Sequence, residues 1–135
     1  MLQKVITMAK SIRTFRDLEV WQAGMDLSVA VYSQLKLPAE ERFGLTAQIR
    51  RAAVSIPSNI AEGHAFRTKP RAFRRHVRIA LGSFAELETQ VELLSRLQMA
   101  DDRVLEELGK KLTRTGQLLH GLLRALRAIR ETDKS

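Results

Sequence analysis

From Leu105 onward the chain keeps a spacing of three and four throughout, apolar but for one Thr: Leu105, Leu108, Leu112, Thr115, Leu119, Leu122, Leu126 and Ile129. Only an α-helix places residues so spaced on one side. A strict repeat of this kind suits left-handed packing at about +20°, the geometry of bundles. Leu118 and Leu123 widen the strip beyond a narrow seam. A helix with such a side is stable only against other helices, so the rest of the chain has to supply them.

Three further segments carry helical spacing. The first spans about 17–36, with Asp17 as N-cap and two stripes: Leu18, Trp21, Met25, Ser28, Tyr32 and Leu35, then Val20, Leu27 and Val31. The second spans about 45–65, with Leu45, Ile49, Ala53, Ile56 and Ile60 on one face and Pro57 inside it. The apolar phase continues across Pro57, which favours a kink over a stop and restart. The third runs from Pro70, well suited to a first turn, to about Met99. Its stripe is Phe73, Val77, Ala80, Phe84, Leu87, Val91 and Leu94. Asp101 or Asp102 caps the fourth.

Short connections make consecutive helices antiparallel. The expected fold is therefore all-α, an up-down-up-down four-helix bundle with its second helix kinked at Pro57. At 135 residues the chain holds one domain. The expected limits are a basic, disordered tail over 1–14, the bundle over 15–131 and a frayed tail over 132–135.

The chain has no Cys, which removes disulfides, thiolate nucleophiles and Cys-ligated metals. Its three His are scattered and no Glu-x-x-His pair exists, so no metal site, cofactor or catalytic residue is expected. No segment approaches the roughly 18 apolar residues of a membrane span. The apolar run at Val5–Ala9 is too short for a signal peptide. The expected location is cytoplasmic, away from membranes.

Three stretches are distinctive. The first helix opens on Phe15-Arg16-Asp17-Leu18-Glu19-Val20-Trp21. The second carries Gln48-Ile49-Arg50-Arg51-Ala52-Ala53-Val54-Ser55-Ile56-Pro57-Ser58-Asn59-Ile60-Ala61-Glu62-Gly63, and the third Ala80-Leu81-Gly82-Ser83-Phe84-Ala85-Glu86-Leu87-Glu88-Thr89-Gln90. Together they resemble the 23S rRNA intervening-sequence proteins, a four-helix-bundle family related to the accessory variability proteins of diversity-generating retroelements. The likeness covers about Phe15 to Ile129. It implies a bundle that assembles into a ring, commonly a homopentamer. The retroelement relatives bind a reverse transcriptase and nucleic acid. The family has no accepted active site, so the likeness carries over no catalytic residue.

Charge supplies an independent indication. Lys and Arg outnumber Asp and Glu 23 to 15, a net +8 that favours anionic partners. An antiparallel bundle gathers the start of the first helix, the second connection and the end of the fourth at one pole. Those segments hold Lys10, Arg13 and Arg16, then Arg67, Lys69, Arg71, Arg74, Arg75 and Arg78, then Arg124, Arg127 and Arg130. No acid lies between Arg67 and Arg78. Cations at a helix start oppose its macrodipole, so helix stability does not explain them. Phosphate binding by RNA, DNA or a nucleoprotein enzyme does, the alternatives being an acidic protein partner or a plain solvated face. Phe66 beside this cluster is the one aromatic placed to stack on a base, against an ordinary packing role. A second apolar stripe on the first helix suggests contacts between copies of the chain.

Ser55, Asn59 and Glu62 share a face of the second helix, with Ser58 alongside. A catalytic reading needs an oriented His next to a serine, and His64 faces elsewhere on a regular helix. The structural reading has these groups satisfy the carbonyl freed by Pro57 and the opposing helix. A helix restart would instead pair Asn59 with Glu62 as a cap.

Overall fold

The computed structural model describes residues 13–132, with side chains as far as residue 129. Four helices form: α1 (Glu19–Gln34), α2 (Leu45–Ala65), α3 (Pro70–Arg96) and α4 (Asp102–Thr132). Each packs on its neighbour in sequence, and α1 closes the ring against α4; among the described residues the diagonal pairs do not approach. This is the expected up-down arrangement.

The ends follow local chemistry. Thr14 caps a short turn, Phe15–Asp17: its hydroxyl accepts the Arg16 N–H at 3.2 Å while Asp17 accepts the Thr14 N–H at 3.3 Å. Asp17 therefore caps this turn and not α1, whose N-cap is Leu18 with no side-chain bond. Of the expected tail, residues 1–12 lie outside the described residues, and Thr14 belongs to the folded unit. The expected tail at 132–135 also lies outside them, apart from Thr132 at the end of α4. Asp101 caps α4 by accepting the Arg103 N–H at 2.9 Å. α3 stops in a Schellman turn: Met99 N–H bonds Leu94 O, Gln98 N–H bonds Ser95 O, and Gln98 takes φ 52°.

α2 continues through Pro57 as one helix. Pro57 is buried, and its ring faces Gly24 of α1; a Cβ on Gly24 would stand 3.3 Å from Pro57 Cδ. This close approach turns α1. Its expected second stripe, Val20, Leu27 and Val31, enters the core together with Ala23 and Ala30. Of the first stripe Leu18, Ser28 and Leu35 are buried and Trp21 packs against the core, while Met25 and Tyr32 are exposed, as is Val29. Small residues, and not the largest ones, decide which side of α1 is inward.

The remaining core matches the spacing: Ile49, Ile56, Ile60, Val77, Leu87, Leu108 and Leu119 are fully buried. Two interfaces close on a glycine. A Cβ on Gly63 would meet Phe73 Cδ1 at 2.8 Å, and one on Gly116 would meet Phe84 Cζ at 2.6 Å. No described helix is long and apolar enough to cross a membrane.

Candidate nucleic-acid interface

The register of α3 against α4 is set by two contacts. Phe84 fills the space over Gly116, and Arg74 Nη1 donates to the Leu126 carbonyl at 3.3 Å. Residues 71–78 of α3 therefore run beside residues 122–129 of α4. Arg71, Arg75 and Arg78 recur at four and three on the outside of α3 and are exposed, as are Arg124 and Arg127 on α4. Five guanidinium groups thus share about two helical turns of surface. Arg67 and Lys69, also exposed, flank them in the α2–α3 connection.

None of these seven cations makes an ion pair among the described residues. The ion pairs that do form there are Arg96–Glu92, Lys110–Glu107 and Arg114–Glu19, and the His76 imidazole contacts Glu62. The patch extends further than the cluster at the start of α3 indicates: Gly63–Ala85 and Leu108–Ile129 are both free of acid. Antiparallel topology alone placed Arg124 and Arg127 of the second stretch at this pole; the register with α3 sets which turns of α3 they lie beside.

Arg74 does not belong to the surface. It is 1% exposed, sealed between α3 and α4 with its guanidinium on the α4 backbone. It holds the fold together and cannot present itself to a phosphate. Arg13 and Arg16 are exposed at the same pole, where Asp17 faces His64 of α2, and the Arg16 guanidinium lies over the Phe15 ring at 4.6 Å. The Arg130 side chain lies outside the described residues. At the opposite pole Asp101, Asp102, Glu106 and Glu107 are exposed around the start of α4.

The polar set of α2 forms a connected seam against α3. His76 Nδ1 lies 3.3 Å from Asn59 Oδ1 and 3.5 Å from Glu62 Oε2. The Asn59 amide donates to Ser55 O at 2.8 Å and to Ser55 Oγ at 3.1 Å, and Ser55 Oγ meets Ser83 Oγ at 2.7 Å. His76 and Ser83, both from α3, complete the set. Asn59 bonds Ser55 O and not the Ala53 carbonyl that Pro57 frees, so the expected repair at Pro57 does not occur. Nor does α2 restart, which removes the cap-like pair of Asn59 with Glu62. Ser58 is exposed. No described serine hydroxyl bonds an imidazole, so the seam supplies no activated nucleophile. Among the described residues no cluster of His, Asp and Glu is arranged to hold a metal.

His64 is buried with its Nε2 unbonded, edge-on to Phe73. Burial holds its pKa below the usual histidine value, the Arg67 charge adds to that, and Asp17 opposes it.

Fold and surface together define a class: an all-α four-helix bundle whose one pole is cationic and open. The chain belongs to the 23S rRNA-intervening sequence protein family, whose model matches residues 16–121. No curated protein matches the chain. The family match covers α1 to α3 and most of α4 but stops short of Arg124 and Arg127. Membership therefore speaks for the bundle, and the paired basic face stands on this chain's own residues.

Proposed function

We propose that the chain is a non-enzymatic, oligomeric bundle that holds nucleic acid, alone or within a nucleoprotein enzyme such as a reverse transcriptase, by charge. The observation that carries this reading is the row of guanidinium groups shared by α3 and α4, none of them ion-paired among the described residues. Exposed Arg with no carboxylate partner among the described residues opposes its own helix dipole at the start of α3, and phosphate is the ligand that relieves this. The shape of the face indicates which part of the nucleic acid it meets. One helix with side chains is about 10–12 Å across and fills a B-form major groove of about 12 Å. Two helices abreast do not enter, so the contacts go to phosphates and are independent of base sequence.

The oligomeric part rests on Met25, Val29 and Tyr32, exposed at i, i+4 and i+7 along α1. The ring and its five-fold size come from the family likeness, and mass measurement by light scattering tests them. The nucleic-acid part is tested by titrating arbitrary RNA and DNA against salt. With about six phosphates neutralised, log K falls against log salt with a slope near −5. Salt-independent affinity, or no binding at low salt, overturns it, and binding to an acidic protein surface alone moves the function to protein docking.

A further inference from the structure

Phe66 ends α2 at the edge of the basic pole. It is 46% exposed, and its ring lies within 3° of parallel to His76 with centroids 5.9 Å apart. His76 is in turn fixed from behind by Asn59 and Glu62. The Phe66 ring is thus supported on one side by a positioned imidazole. Exposed cations follow it along the chain: Arg67 and Lys69, whose N–H closes a turn on Phe66 O at 2.8 Å, and then Arg71.

We infer that Phe66 is a stacking platform for an unpaired base, which makes the basic pole a site for single-stranded nucleic acid in preference to duplex. The inference rests on the charge reading above and names its ligand. A flat aromatic ring flanked by backbone-tracking cations is how single strands are held without sequence readout. In a duplex every base is already stacked, and the ring has nothing to receive. Glu62, bonded to His76 and 63% exposed, repels phosphate on its own side and directs the strand along Arg67, Lys69 and Arg71. Phe43 is more exposed still, at 87%, but it follows Glu40 and Glu41 at the acidic pole, and the Arg42 guanidinium already lies over its ring at 5.2 Å.

The test compares the full chain and single variants on an oligouridylate, its DNA counterpart and a duplex of equal length. Phe66→Leu keeps apolar bulk and removes the π face. It is expected to weaken binding to both single strands roughly tenfold, with duplex affinity and salt slope unchanged. Phe66→Trp is expected to tighten single-strand binding, which keeps the test decisive should the Leu variant fold poorly, and Phe43→Leu is expected to change neither. Equal losses on single strand and duplex, or no loss on either, overturn the platform and leave the charge reading standing. Failure of the unaltered chain to bind any of the three overturns both.

Discussion

The two sides of α3 use polar residues in opposite ways. Toward α2, Ser83 and His76 meet Ser55, Asn59 and Glu62, and each named group bonds another. Toward the outer face shared with α4, Arg71, Arg75 and Arg78 meet no carboxylate among the described residues. A polar group bonded within the chain sets register and holds neighbours in place. One that is solvated and unpaired adds little to the fold and is free for a ligand. Arg74 lies between the two regimes, one residue from Arg75 in sequence and buried where Arg75 is exposed.

That boundary is where the contrast breaks most sharply. Arg74→Ala removes a fully buried long side chain and its bond to the Leu126 carbonyl, and is expected to cost about 2–4 kcal/mol. Arg75→Ala, next to it, is expected to stay within about 0.5 kcal/mol. Denaturant titration of both variants measures the difference. Equal effects would mean that Arg74 is not the anchor its burial makes it.

Gly63→Ala comes next. The added methyl would stand 2.8 Å from Phe73 Cδ1 and 3.0 Å from His76 Cβ, so α2 and α3 have to part. Overpacking of this sort costs about 1–3 kcal/mol, against about 1 kcal/mol gained in helix propensity. A melting temperature at or above that of the parent chain would show that the seam is loose. Asn59→Ala is expected to cost about 1 kcal/mol, since it cuts the link between the serines and His76.

How much of this was legible beforehand divides along the same line. Helix number, order and most of the core followed from apolar spacing, because burial of one side of a helix leaves a period in the sequence. The inward side of α1 followed only in part: Leu18, Ser28 and Leu35 are buried as their spacing predicts, while Met25 and Tyr32 are exposed beside the close approach of Gly24 to Pro57. The cationic pole was legible as topology, since antiparallel helices bring 67–78 near the end of α4. The burial of Arg74 was not: its spacing differs from that of Arg75 by a single residue, and only the facing α4 backbone distinguishes them. His76 and Ser83 were missed as members of the seam, having no local pattern that marks their partners on another helix.

Acidification is expected to act where His64 of α2 packs against Phe73 of α3, as a gradual loss. His64 has its folded pKa lowered from 6.5, chiefly by burial and then by Arg67. The unfolded chain therefore binds the proton more readily, and stability is complete above about pH 6.5 and falls as the pH drops below it. Melting temperatures across that range test this, with His64→Phe expected to flatten the His64 contribution. A profile in His64→Phe as steep as the parent's would assign the acid sensitivity to other groups.

The smallest effect on stability has the most to say about the outer face, because its sign is reversed. Arg71 and Arg75 lie in the first two turns of α3, where cations face the positive end of the helix dipole and one another. Replacing Arg71, Arg75 and Arg78 together by Gln is expected to leave thermal stability unchanged or to raise it by a few tenths of a kcal/mol per site. The same triple variant is expected to lose most of its affinity for any nucleic acid and to flatten the salt slope by about 3. Side chains whose removal helps the fold while abolishing binding are kept by the sequence for a ligand. If the triple variant instead melts markedly lower, these arginines support the bundle as Arg74 does, and the two sides of α3 differ only in how deeply their charges are buried.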